Sequence, residues 1–293
     1  FVNMFKHLYR LKKTIVSENP DIVLSFAFPV NCLCLLSFLL PLKNKPKIIL
    51  SEHTELLFIK EKANTFKGNK GKFFIFIYKT IMFLLYHRAD AVICVSRSIA
   101  GHIKRFFLMD PKKVRVIHVP VNIEEIKIRS QERVFNYENN YNLPCVGTIS
   151  RLLTAKGINY LIEAFSDLIK RIDARLIIVG DGDERANLEK MVRDLKIEDR
   201  VSFLGFLENP YNYLKKMDVF VLPSLYEGFP NVVIESMVCN VTVVATRSVG
   251  GLEELIDNGV NGLLVPPKDI KSLADSIYSL LRDKELKDRF IKE

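Results

Sequence analysis

Short runs of β-branched and aliphatic residues recur along this chain with room for one helix between them, and that alternation restricts the fold more than any other feature. The runs are 21–26, 47–52, 91–96 and 114–119 in the first part. In the second they are 144–150, 175–180, 201–204, 219–222, 241–246 and 262–265. They read as near-continuous apolar stretches, not as alternating polar and apolar positions, so each strand is expected to be buried on both faces. Strands of that kind separated by helical patterns belong to an α/β fold with parallel sheets covered by helices on both sides. No shorter internal repeat and no low-complexity tract interrupts the pattern.

The 293 residues suffice for two domains, each with its own core. Charge divides the chain in the same way: residues 1–140 hold 23 Lys and Arg against 11 Asp and Glu, whereas residues 141–293 hold 20 against 23. A linker is expected over 128–143, which is polar and lacks a hydrophobic period. This gives domains at 1–140 and 141–293. The helical pattern Phe5, Leu8, Leu11 and Ile15 at the start, and another over 285–293 at the end, lead to the expectation that the chain is cut at both ends, with the first domain truncated at its N-terminus. Five cysteines at 32, 34, 94, 145 and 239 have neither the spacing of a zinc site nor that of a disulfide framework. Reduced buried thiols and the cytoplasm are the expectation.

Two motifs carry chemistry. In Glu227-Gly228-Phe229-Pro230-Asn231-Val232-Val233-Ile234-Glu235, two carboxylates flank a strand-to-helix junction, with Pro230 suited to the first helical turn. Unpaired N–H groups and the helix dipole favour an anion at Phe229 to Val232. Carboxylates accept hydrogen bonds only, so Glu227 and Glu235 suit hydroxyls on either side of such an anion. The plainer reading is a helix start with one acid in the loop before it and another on its exposed side. The second motif, Gly147-Thr148-Ile149-Ser150-Arg151 followed by Lys156-Gly157, places a guanidinium fork and an ammonium after one strand, at the end where open α/β sheets bind ligands. Together the two motifs point to a nucleotide-diphosphate sugar. Gly180-Asp181-Gly182 lacks the third glycine of a dinucleotide fingerprint and reads as a tight strand-to-helix turn. Gly250 and Gly251 either add donors at the phosphate end or permit close packing, and the second is the commoner use.

These motifs, with Phe203-Leu204-Gly205 and Pro223-Ser224, resemble the retaining GT-B glycosyltransferases of family four over most of the chain. The resemblance implies two Rossmann-like parallel-sheet domains facing a cleft. It implies that Arg151 and Lys156 neutralise the donor diphosphate, that Glu235 binds the ribose and that Glu227 contacts the transferred sugar. The donor site then comprises Gly147, Arg151, Lys156, Glu227, Gly228, Phe229, Pro230, Asn231, Val232 and Glu235. His53, in Ser51-Glu52-His53, matches a family histidine that faces the donor from the first domain, and joins Glu227, Arg151 and Lys156 in the catalytic set. By the same resemblance Phe206 and Leu207 line a base pocket, with ordinary loop packing as the alternative. The loop at Asn122 departs from the family pattern.

The implied activity is metal-independent transfer of a sugar, with retention, from a UDP- or GDP-linked donor to a lipid-linked or growing surface saccharide. No cofactor is expected. A non-catalytic sugar-nucleotide-binding or saccharide-binding subunit is the alternative, against which Glu227 is the discriminating residue. Lysines between 60 and 79 interleave with apolar runs at 73–77 and 81–85, which suits an anionic membrane surface better than nucleic acid. A core helix with lysines on its wet side has the same period. Apolar runs shorter than about 20 residues, broken by Pro29, Asn31 and Lys79, exclude a spanning helix from these stretches. A cytoplasmic protein, peripheral on the inner face of the membrane, is therefore expected.

Overall fold

A computed structural model describes residues 2–39, 44–53, 83–134, 143–248 and 250–293, with Phe73, Phe76 and Thr80 between them. They form two compact units, Phe1–Val119 and Pro120–Glu293. The lysine-rich stretch expected to meet a membrane lies largely outside the described residues.

In the first unit, α1 (Val2–Glu18), β1 (Ile22–Phe26), α2 (Phe28–Ser37), β2 (Lys47–Glu52), β3 (Ala91–Cys94), α3 (Arg97–Phe107) and β4 (Val114–Val116) follow one another. The strands form a parallel sheet in the order β1-β2-β3-β4. Three strands are shorter than their apolar runs. The run 91–96 stops at Cys94 because the Ser96 hydroxyl accepts the Ile99 N–H and starts α3, whose Ile99, Ala100, Ile103 and Phe107 then repeat at helical spacing in the core.

The second unit opens with α4 (Ile123–Ser130), where an unstructured linker had been expected to begin. Asn122 caps it by accepting from Glu125 N–H at 3.2 Å, and Ile126 anchors it in the core of this unit. The division at 119/120 thus precedes the expected 140/141. Then come β5 (Cys145–Ile149), α5 (Ile158–Leu168), β6 (Arg175–Val179), α6 (Arg185–Asp194), β7 (Val201–Gly205), α7 (Tyr211–Leu214), β8 (Val219–Leu222), α8 (Asn231–Val238), β9 (Thr242–Thr246), β10 (Leu263–Val265), α9 (Ile270–Arg282) and α10 (Lys284–Lys292).

All six strands are parallel, in the order β10-β9-β8-β5-β6-β7. Alternate residues serve two cores. Val146, Leu176, Ile178, Val219, Val221 and Val244 pack with α5, α6 and α9 on one face. Cys145, Ile177, Val179, Phe220, Leu222 and Val243 pack with α4, α7 and α8 on the other. Burial of both faces explains the uninterrupted apolar runs, each large side chain contributing roughly 1.5–3 kcal/mol. The order also fixes the site. Chain direction across the sheet reverses between β5 and β8, and the loops leaving their carboxyl ends flank the switch point where such sheets bind ligands.

Candidate functional site

The β5 loop descends through Arg151 into a 3-10 turn, Thr154–Lys156, and enters α5 at Gly157. Gly157 is left-handed, with φ +62°, and a Cβ there would lie 2.2 Å from the Pro223 carbonyl oxygen. That absence lets the β5 and β8 loops touch. Leu225 N–H donates to the Ala155 carbonyl at 2.8 Å and locks them together.

Across this contact the Lys156 ammonium meets Glu227, Nζ to Oε1, at 2.7 Å. The Ser224 hydroxyl donates to the same oxygen at 2.6 Å. Glu227 is buried and the Lys156 side chain only one-fifth exposed, so the two charges meet where water screens them poorly. Among the described residues no side chain or N–H reaches Oε2. Gly250 supports the arrangement from β9, since its φ is +138° and a Cβ would stand 1.9 Å from the Glu227 carbonyl oxygen. Of its two expected uses, close packing is the one seen.

Beyond Glu227 the loop runs through Gly228, Phe229 and Pro230 into α8. Pro230 stands one residue before the helix, not in its first turn as expected, and no side chain caps that end. Asn231 and Val232 therefore begin a helix whose leading N–H groups have no side-chain acceptor among the described residues, where the buried Asn231 Oδ1 also lacks a partner. Glu235 lies one turn further along, half-buried, with its pKa raised by desolvation. Two carboxylates thus bracket an uncapped helix start.

The other expected residues are placed less tightly. Arg151 is exposed and its guanidinium makes no hydrogen bond or ion pair among the described residues, so it does not join Lys156 at Glu227. Gly147 lies inside β5 under the Met217 thioether, whose sulfur occupies the place of a Cβ at 2.2 Å, and serves packing. Phe206 is 82% exposed, whereas Leu207 packs against the core. Gly180 and Gly182 both have positive φ and admit the Ser150 and Leu152 carbonyls of the β5 loop, the tight turn expected of them.

His53 belongs to the first unit, where it follows β2. Its Nε2 lies 2.9 Å from Ser51 Oγ, its ring 5.8 Å from that of Phe26, and desolvation lowers its pKa. Glu52 beside it is 3% exposed and accepts from Tyr86 OH and from Asn31 Nδ2 at 2.7 Å. Burial pushes its pKa up to about 7. The sequence reading missed this cluster and the Ser224 contact. Ser224 had a signal, a hydroxyl three residues before an acid at a strand end, but only the fold shows which oxygen it holds. Among the described residues no group of three His, Cys, Asp or Glu is placed to hold a metal ion, and no helix is long and apolar enough to cross a membrane.

Two family models match, one described as glycosyl transferases group 1 over residues 130–293 and one as glycosyltransferase family 4 over residues 1–125. A Campylobacter jejuni protein named N-acetylgalactosamine-N,N'-diacetylbacillosaminyl-diphospho-undecaprenol 4-alpha-N-acetylgalactosaminyltransferase is 28% identical over 84% of this chain and 64% of its own length. The chain thus spans less than two thirds of that relative. An uncharacterized glycosyltransferase of Methanocaldococcus jannaschii is 30% identical over 95% of this chain and 71% of its own length. Among solved structures, Anabaena HepE in complex with UDP superposes with a TM-score of 0.76 at 22% identity, over 97% of this chain and 74% of that one. Sucrose-phosphate synthase from Thermosynechococcus elongatus gives 0.78 at 22% identity, over 99% and 71%. These likenesses show the fold, two parallel-sheet α/β units of the GT-B class. By both models and by its relatives, this chain belongs to the family of glycosyl transferases group 1.

Proposed function

We propose that the chain is the core of a retaining glycosyltransferase that takes a sugar from a nucleoside diphosphate, UDP- or GDP-linked, and passes it to a lipid-linked or growing surface saccharide. One observation carries this reading: Lys156 and Glu227 meet at the switch point of the second sheet, beside an uncapped helix start. The Lys156 ammonium, the Arg151 guanidinium and the first N–H groups of α8 would hold the diphosphate, stabilising charge as the bond to the sugar breaks. In this reading they do the work that a divalent ion does elsewhere, and no metal or cofactor is required.

Glu227 would accept a hydroxyl of the transferred sugar through Oε2. It orients the sugar and forms no covalent intermediate. Glu235 would accept ribose hydroxyls, whose hydrogen bonds offset its desolvation. By the family resemblance, His53 would belong to the catalytic set. On the front face the bond from the anomeric carbon to the phosphate oxygen breaks as the acceptor oxygen bonds the same carbon, and the departing phosphate takes the acceptor proton. The Campylobacter relative's name supports a lipid-linked acceptor, and the UDP bound to HepE supports a uridine donor. The same acceptor class would place the protein at the cytoplasmic face of a membrane.

A thermal-shift screen of nucleoside diphosphates and their sugars tests the reading, because a ligand that binds only the folded form raises Tm. A rise with one diphosphate and its sugars, coupled to release of that diphosphate when saccharide acceptors are added, is expected. Binding without release would favour the non-catalytic subunit, and no binding would defeat both.

A further inference from the structure

Glu227 is held through one oxygen only, and the two groups that hold it differ in kind. Lys156 brings a flexible, partly exposed ammonium. Ser224 brings a hydroxyl on a fully buried residue. The backbone of Ser224 is fixed from both sides: Thr246 Oγ1 of β9 donates to the Ser224 carbonyl, and the next residue, Leu225, donates its N–H to Ala155 in the β5 loop. The hydroxyl thus sits on the most constrained piece of the loop. Its bond to Oε1 also leaves Oε2 without a described partner.

We infer that Ser224 is a positioning residue for the donor sugar, acting through Glu227. The inference rests on the donor-site reading above. A diphosphate competes with Glu227 for the Lys156 ammonium, since two anions share one cation. Once the ammonium turns to the diphosphate, the Ser224 hydroxyl is the remaining donor on Oε1. It then fixes the carboxylate so that Oε2 meets the sugar hydroxyl. The diphosphate itself gains nothing from Ser224, so removing the hydroxyl separates sugar recognition from diphosphate recognition.

Calorimetric titration of the full chain with UDP, GDP, UDP-glucose and GDP-mannose tests this. The loss of one hydrogen bond to a charged group is worth about tenfold in affinity. Ser224→Ala is therefore expected to weaken the preferred nucleotide sugar about tenfold over wild type while the matching diphosphate changes less than about twofold. Ser224→Cys, with a weak thiol donor, should fall between, and it serves as the reading if the alanine variant melts early. In a Glu227→Ala background, Ser224→Ala should cost little further sugar affinity, because its route runs through the side chain that is then missing. Equal losses for diphosphate and sugar, no loss for either, or the full loss in the Glu227→Ala background would each overturn the inference and leave the donor site standing. A wild-type chain that binds none of the four probes overturns the donor-site reading and this inference together.

Discussion

Each unit buries one glutamate near the carboxyl end of its parallel sheet, and the two are neutralised in different ways. Glu227, in the second unit, meets the Lys156 ammonium and the Ser224 hydroxyl. Glu52, in the first, meets only neutral donors among the described residues, Tyr86 OH and Asn31 Nδ2, with the Cys32 thiol also nearby, and its pKa rises to about 7. Burial alone therefore does not set the charge of a carboxylate, because the partner decides it. The Lys156 pair is also one that a ligand can open, whereas the Glu52 cluster has no charge to offer an anion. That difference supports the proposed donor site in the second unit.

The largest effect should come from forcing Glu227 out of place. Gly250→Ala puts a Cβ 1.9 Å from the Glu227 carbonyl at a φ that side chains rarely adopt, and should cost more than about 3 kcal/mol together with nucleotide-sugar binding. Chemical denaturation and titration would show both losses. An alanine variant as stable as wild type would mean that the loop has another low-energy path.

Glu52 gives the next effect, through pH. Its folded pKa of about 7 lies above the ordinary carboxylate value, so between the two the native state holds a proton that the unfolded chain has released. Stability of the first unit should fall as pH rises through that window and level off above pH 7, by on the order of 3 kcal/mol. Glu52→Gln keeps an acceptor for Tyr86 and Asn31 and removes the proton exchange. It should flatten the profile and raise stability at pH 8, whereas the same slope in the variant would assign the proton to another group. Lys156→Ala makes the contrasting change in the second unit, stripping a buried carboxylate of its cation. Partial exposure of the pair reduces the cost to about 2 kcal/mol, read as a lower midpoint in urea.

Much of this was legible in the sequence. The strands of the second unit were, because burial on both faces leaves runs such as 219–222 with no polar residue. Glu227 and Glu235 were, because their spacing straddles a helix start that needs only local chemistry. Helix α4 was not: it buries one apolar side chain, Ile126, in its own unit's core, and its charged residues look like a linker. Nor was the partner of Lys156, since a contact across 71 residues depends on strand order and on Gly157 letting two loops touch. Arg151 shows the converse, a residue whose motif is plain and whose guanidinium has no hydrogen bond or ion pair among the described residues to explain it.

Arg151 therefore gives the smallest effect on folding and the most direct test of the donor site. Arg151→Ala should leave Tm and the urea midpoint unchanged, within about 0.5 kcal/mol, because an exposed side chain with no hydrogen bond or ion pair among the described residues is removed. Titrated with the nucleoside diphosphate that wild type prefers, the same variant should bind roughly ten- to a hundredfold more weakly, the worth of a charge-assisted hydrogen bond to phosphate. Wild-type affinity in a fully folded Arg151→Ala chain would contradict a diphosphate site at the β5 and β8 loops.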